Sequence, residues 1–231
     1  MKRSITISLL LLLLASTSVQ AGQVRPEDYK AFWLWSGVRP KPALEQAEEV
    51  FLLAGEVKAK GVVAQRGGAP HLKSGKLWVV YRVETLDWPP GALINIMGHI
   101  AQWRAVGNHI AGLQIDFDSG TRELGRYAQF LKGLRSHLPS DLKLGVTGLL
   151  DWGVHGDMDA LSGIADEVIL QIYQGRHVIP GYQTYLARLQ KLDVPFRIGL
   201  LDGGDWQAPD NLAANPMFKG YVVFLVNGEG R

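Results

Sequence analysis

Two aspartates one residue apart, Asp116 and Asp118, are the residues of this chain whose type and spacing best suit chemistry. They close the stretch I-A-G-L-Q-I-D-F-D-S-G, Ile110 to Gly120, in which Leu113, Ile115 and Phe117 alternate with Gln114, Asp116 and Asp118. Such alternation marks a strand with two unlike faces, because successive side chains point to opposite sides. A strand covered by helices on both faces is normally apolar throughout, and burying unpaired charge is costly. A polar face ending in two carboxylates therefore predicts a strand that runs into a catalytic or binding mouth, where α/β folds place their chemistry. The competing reading is a solvent-facing edge strand. Spaced i and i+2, the carboxylates stand roughly 6–7 Å apart by strand rise. They repel, one pKa should rise, and a raised acid beside an ionised partner is the arrangement glycosidases use. Asp118 is nearer the mouth; Asp116 is deeper and suited to tuning its neighbour.

Elements that could position this pair are readable around it. Residues 31–37, A-F-W-L-W-S-G, read as a first strand with Trp33 and Trp35 on one face. Pro40 and Pro42 open a predicted helix to about Gly55, with Leu44, Ala47, Val50, Phe51 and Ala54 at helical spacing. Short strands are expected at Gly61 to Arg66 and at Lys76 to Thr85, and a helix at Gly91 to Val106. After the fourth strand, Leu124, Tyr127, Ala128, Leu131 and Leu134 form the stripe of a helix that Pro139 ends. Strands at 142–149, 167–173, 196–201 and 221–227 follow, with short helices at 157–165 and 182–192.

Eight strands mostly alternating with helices predict a trimmed (β/α)8 TIM-type barrel, with an open doubly wound α/β sheet as the alternative. The link of about ten residues between the second and third strands barely permits a parallel crossover. A hairpin or irregular loop is expected there, and no helix follows the eighth strand. If the strands close, alternation turns Gln114, Asp116, Asp118, Gln171 and Tyr173 inward, with Arg82 and Glu84 from the third strand. Arg82 is then the candidate counter-ion for Asp116, or else for Glu84, since charges inside a barrel must be paired. A structural ion-pair network without chemistry would look the same in sequence. Asp151-Trp152 after strand five and Asp202-Gly-Gly-Asp205-Trp206 after strand seven put carboxylates beside indoles at the same end, a pairing that suits sugars. Trp33 and Trp35 are further candidate stacking platforms.

The D-x-D at the end of a fourth barrel strand resembles glycoside hydrolase family 18 and its relatives, which carry D-x-x-D-x-D-x-E there and a Tyr at the end of strand six. Asp116, Asp118 and Tyr173 match the second Asp, the third Asp and the Tyr. The resemblance implies that Asp118 orients and stabilises a substrate acetamido group attacking its own anomeric carbon, with Tyr173 hydrogen-bonded to that group. Leu113 replaces the first Asp and Gly120 the proton-donating Glu. The family mechanism therefore cannot run unchanged. Either another acid serves, with Glu84, Asp151 and Glu229 as candidates, or the protein binds glycans without cleaving them. Over most of the mature chain, the I-D-F-D strand, the Tyr127-x-x-Phe130-Leu-x-x-Leu134-Arg helix and the I-L-Q-I-Y strand at 169–173 resemble a bacterial family of exported proteins known as domain of unknown function 3142. That resemblance implies a barrel and supplies no activity.

Composition narrows the remaining classes. The 231 residues are 47% hydrophobic with a formal net charge of +2, which describes one globular domain and no nucleic-acid footprint. Lys2 and Arg3, the apolar run Ile5 to Ala15 and Val19-Gln20-Ala21 read as a signal peptide over residues 1–21. The run is too short to span a bilayer, so the expectation is a single domain over 22–231, periplasmic or secreted, with no membrane association after cleavage. The chain has no cysteine, which excludes disulfides, thiolate metal sites and a lipidated N-terminal cysteine. No cofactor is expected and the expected partner is a carbohydrate. Three functions remain: a glycoside hydrolase-like protein acting on a bacterial or environmental polysaccharide, N-acetylated ones included; a non-catalytic glycan-binding barrel; and a metal-dependent hydrolase using Asp116, Asp118, His155 and Asp157.

Overall fold

The computed structural model describes residues 22–65, 70, 75–155, 158–189 and 192–227. Eight parallel strands close into a barrel: β1 (Ala31–Leu34), β2 (Glu49–Lys58), β3 (Lys76–Val83), β4 (Ile110–Asp116), β5 (Lys143–Leu149), β6 (Glu167–Gln171), β7 (Phe196–Leu201) and β8 (Phe218–Leu225). Each pairs with its sequence neighbours, and β8 pairs with β1 to complete the ring. The barrel is the expected fold; the open sheet is excluded by that closure.

Alternation along the strands sorts the core into two shells. Trp33, Phe51, Leu53, Trp78, Val80, Ile169, Val222 and Phe224 fill the interior. The other faces of the same strands meet the helices in a larger outer cluster. Trp78 is the largest residue low in the barrel, and the next two strands on one side make room for it. A Cβ on Gly112 of β4 would sit 2.3 Å from its ring, and one on Gly145 of β5 3.0 Å.

Helices cover only part of the ring. α1 (Ala92–Ala105) starts after Gly91, whose φ of 81° suits a glycine following Pro89-Pro90, and buries Ala92, Ile96 and Ile100 at i, i+4 and i+8. α2 (Leu124–Arg135) buries the five predicted stripe residues. Short helical turns follow β5 (α3, Trp152–His155, then Met158–Leu161) and β6 (α4, Tyr182–Leu186). Between β1 and β2 there is one 3₁₀ turn, Pro42–Gln46.

Two expectations fail in that region. The helix predicted to about Gly55 is instead that 3₁₀ turn followed by β2, so β2 and not Gly61 to Arg66 is the second barrel strand. The sequence V-F-L-L-A at 50–54 is buried on both faces of a parallel strand and so lacks the period-two signal. Its apolar residues also fall at helical spacing by coincidence. Gly61–Ala64 forms the antiparallel return arm of a hairpin on β2; the expected hairpin or irregular loop falls one link later, between Arg66 and Lys76, where most residues lie outside the described ones. Arg66 lies outside the described residues, as does the predicted signal segment 1–21.

Candidate functional site

The mouth of the barrel, at the C-terminal ends of the strands, is built around Arg82. This residue is the last on the inner face of β3, in register with Asp116 of β4 on one side and Glu56 of β2 on the other. Its guanidinium donates to Asp116 (Nη1–Oδ2, 3.2 Å) and to Asp118 (Nη2–Oδ2, 2.6 Å) and lies 5.8 Å from the centre of the Trp35 ring. The predicted counter-ion of Asp116 is therefore found, and it serves Asp118 as well. Thr147, inward on β5, donates to the other oxygen of Asp116 at 2.6 Å. Burial pushes the Asp116 carboxyl up, against the lowering effects of Thr147 and Arg82, and the nearby Asp118 charge adds to the rise.

Asp118 is placed differently from its expectation. β4 ends at Asp116, so Asp118 stands in the following loop and is exposed, not on the strand face. The loop is fixed from below: the Trp152 indole donates to Ser119 O at 2.8 Å, and both Trp152 and Ser119 are buried. Trp152 packs edge-on to Tyr127 of α2 and over Gly148. It presents no face to the mouth, so the stacking role expected for it is replaced by an anchoring one.

Beneath the aspartates the buried amide of Gln114 is set among the apolar interior residues. Trp33, fully buried, donates from its indole to Gln114 Oε1 at 2.7 Å and stacks on Phe224. An indole N–H only donates, so this bond fixes the orientation of the Gln114 amide. The Gln114 Nε2 is buried and has no hydrogen-bond partner among the described residues. Trp35 is half-buried beside Trp33, with ring centres 4.4 Å apart. Tyr173 packs edge-on to Phe224, and Gln171 Nε2 donates to its hydroxyl at 3.4 Å. Burial raises the Tyr173 phenol well above its ordinary value, with the Asp116 and Asp118 charges in support. Tyr173 is a neutral hydrogen-bonder.

The remaining predicted residues divide. Asp151 is half-buried after β5, and its Oδ1 has no partner among the described residues. Asp202, after β7, is occupied by Lys41 and by the Val226 N–H, and ties two mouth loops together. Glu84 is exposed and paired with Lys58 at 2.9 Å, not with Arg82. Trp206 belongs to the outer layer, stacked on Tyr182 and edge-on to Tyr221, so it offers no platform at the mouth. Glu229, Asp157 and the His155 side chain lie outside the described residues. Among the described residues no group of three or more His, Cys, Asp or Glu could hold a metal ion.

Two mouth residues were missed in the sequence. Thr147 was visible as the polar member of the face Gly145, Thr147, Leu149. Glu56 lies just past the helix predicted to about Gly55, in a stretch given no strand; it is in register with Arg82 across the β2–β3 pair and is bonded to Lys58 at 2.8 Å.

A family model described as a domain of unknown function, DUF3142, matches residues 86–189, a little under half of the chain. The match contains all three motifs on which that resemblance rests. No curated protein matches the sequence. Among solved structures, the Bacillus cereus spore cortex-lytic enzyme SleL aligns at a TM-score of 0.52 and 16% identity over 74% of this chain. The chain spans 49% of that structure's length. The xylanase and alpha-amylase inhibitor protein XAIP-II from Scadoxus multiflorus aligns at 0.55 and 11% identity, covering 84% of this chain and 92% of its own. Its relative XAIP-III aligns at 0.54 and 10%, covering 85% and 93%. These neighbours are barrels of the glycoside hydrolase family 18 type. At such identities the likeness is one of fold.

Proposed function

We propose that this protein is an exported, glycan-binding barrel of the glycoside hydrolase family 18 type that holds saccharide at the mouth without cleaving it. The observation that carries the reading is the Arg82 fork. One guanidinium occupies both aspartates, and the neighbouring position where a proton donor would stand is Gly120, with open space around its would-be Cβ. Asp118 and Trp35 then supply a hydroxyl acceptor and an aromatic face, with Gln171 at the end of β6 and Tyr173 just beyond it. An aromatic face with a few convergent polar groups is the usual make-up of a small-molecule site. N-acetylated bacterial polysaccharides are the first ligands to try, on the strength of the Asp118 and Tyr173 match. Export rests on the signal-like segment 1–21, with the periplasm or the medium as destination.

Calorimetric titration with a panel of neutral and N-acetylated oligosaccharides, alongside product analysis, tests the proposal. Saturable binding without products is expected from the wild type, and Asp118→Asn should weaken it about tenfold, the loss of one hydrogen bond to a charged group. Released sugars would overturn it. Hydrolysis has one observation in its favour. Glu56 stands two strands from Asp116, about 10 Å away by strand spacing, close to the carboxylate separation of inverting glycosidases. Products of inverted anomeric configuration, lost in Glu56→Gln, would establish that second reading.

A further inference from the structure

The opposite end of the barrel repeats the charge arrangement of the mouth. Glu49 is the first residue of β2 and Glu167 the first of β6; Arg197 is the second of β7. Arg197 reaches across the interior, Nη2 lying 2.6 Å from Glu49 Oε2 while Nε donates to Glu167 Oε2 at 3.1 Å. Trp78 of β3 donates its indole N–H to Glu49 Oε1 at 2.7 Å. Glu49 therefore has both oxygens satisfied. Glu167 has one, since its Oε1 is buried with no hydrogen-bond partner among the described residues.

Two carboxylates thus share one guanidinium in a closed space. Full ionisation leaves the floor with one uncompensated buried charge, which is costly in a low-dielectric interior. A proton removes it, and the geometry says where the proton goes. On Glu49 it would disrupt two short bonds; on Glu167 it occupies the oxygen that has no donor. The surrounding charges do not alter the choice. Lys143 of β5 opposes protonation of Glu167, but its side chain is exposed, and Lys76 of β3 lies in register with Glu49 and is also exposed. Asp166 turns to the outer layer, accepting from the Leu144 N–H and pairing with Arg135.

We infer that the barrel floor is a proton-operated brace: mild acidification loads one proton on Glu167, leaves Arg197 to Glu49, and tightens the tie between β7 and β2. That tie spans the arc β7–β8–β1–β2, where the described residues provide no α-helical cover between β1 and β2 or between β7 and β8. The Glu167 carboxyl is pushed up to about 7, chiefly by burial, with Glu49 adding to the rise and Arg197 and Lys143 opposing it. A carboxyl whose folded pKa lies above its ordinary 4.5 binds its proton more tightly when folded. Its contribution to stability is full below 4.5 and is lost as pH rises from there through about 7.

The experiment is urea denaturation of wild type and Glu167→Gln from about pH 8 to about pH 5. Gln reproduces the protonated form, so the variant should show the higher midpoint at the alkaline end. The two should converge on acidification. Asp116 titrates in both proteins and cancels in the difference. A difference that does not change with pH overturns the brace. Carboxyl-carbon NMR of wild-type Glu167 gives an independent reading should the variant fail to fold. A titration midpoint near neutrality supports the inference, and one near 4.5 overturns it. In Glu49→Gln the Glu167 midpoint should fall, because Arg197 then serves Glu167 alone.

Discussion

Mouth and floor each set one arginine between two carboxylates, on opposite ends of the same eight strands, and they differ in access to water. At the mouth, the Arg82, Asp116 and Asp118 side chains are 37%, 2% and 55% exposed. At the floor, Arg197, Glu49 and Glu167 are 16%, 12% and 9% exposed. An ion pair open to solvent is worth little and exchanges partners readily. A buried one is expensive to break because the remaining partner keeps its charge away from water. The same three-group motif is therefore exchangeable at the mouth, as the proposed binding edge requires, and held away from water at the floor. The mouth itself repeats the contrast on a smaller scale: Asp116 is buried and held by both Thr147 and Arg82, while Asp118 is exposed and paired with Arg82.

Removing each arginine separates the two ends most directly. Arg197→Met should lower the unfolding free energy by about 3–5 kcal/mol near pH 8, since it leaves two buried carboxylates without a cation. The loss should shrink on acidification as Glu167 takes up its proton. Arg82→Met should cost about 1–2 kcal/mol, because Asp118 returns to water and Asp116 keeps the Thr147 bond. Urea denaturation of the two variants decides the matter. Equal losses would mean that exposure does not separate the two ends.

Packing distinguishes the two ends by a smaller margin. Gly112→Ala places a methyl 2.3 Å from the Trp78 ring and 2.7 Å from Lys143 O, and neither neighbour is a flexible tip. Overpacking of this kind costs about 1–3 kcal/mol. Displacing the indole also strains its bond to Glu49. The thermal midpoint of Gly112→Ala should fall, and adding Trp78→Phe should recover part of the loss if the clash is with the ring. The corresponding Gly120→Ala change at the mouth meets nothing within 4 Å and should be nearly silent.

The two ends were also unequally legible in the sequence. β4 and α2 could be read because one alternates and the other keeps a five-residue stripe, so backbone period and burial coincide. Arg82 followed from the same alternation, as the cation on the polar face of β3. β2 could not be read, because burial on both faces erases its period, and Glu56 was lost with it. The floor was invisible for a different reason. Glu49, Glu167 and Arg197 sit at strand starts, where boundaries are least certain, and they meet only across the closed barrel. No local pattern links residues from β2, β6 and β7. The Asp-Trp pairs at 151–152 and 205–206 look alike as sequence, and only burial shows that both indoles are packing residues.

Trp152 belongs to the mouth, where its indole holds the loop that carries Asp118. Trp152→Phe keeps most of the buried ring against Tyr127 and removes the donor to Ser119 O. One neutral hydrogen bond contributes about 1 kcal/mol, and more where the orphaned carbonyl stays buried. Folding should therefore change little. The Asp118 loop should move more freely, which weakens the mouth in particular: the Arg82–Asp118 pair loses its fixed geometry while Asp116, on the strand, keeps Thr147. Nuclear relaxation of the Asp118 and Ser119 amides, compared with those of the floor, provides the test. Increased motion confined to the loop, with saccharide binding reduced and the Glu167 titration unmoved, is the expected outcome. A variant that altered floor and mouth together would show that the two ends are coupled through β4 and β5, and the division of the barrel into a loose end and a braced end would fail.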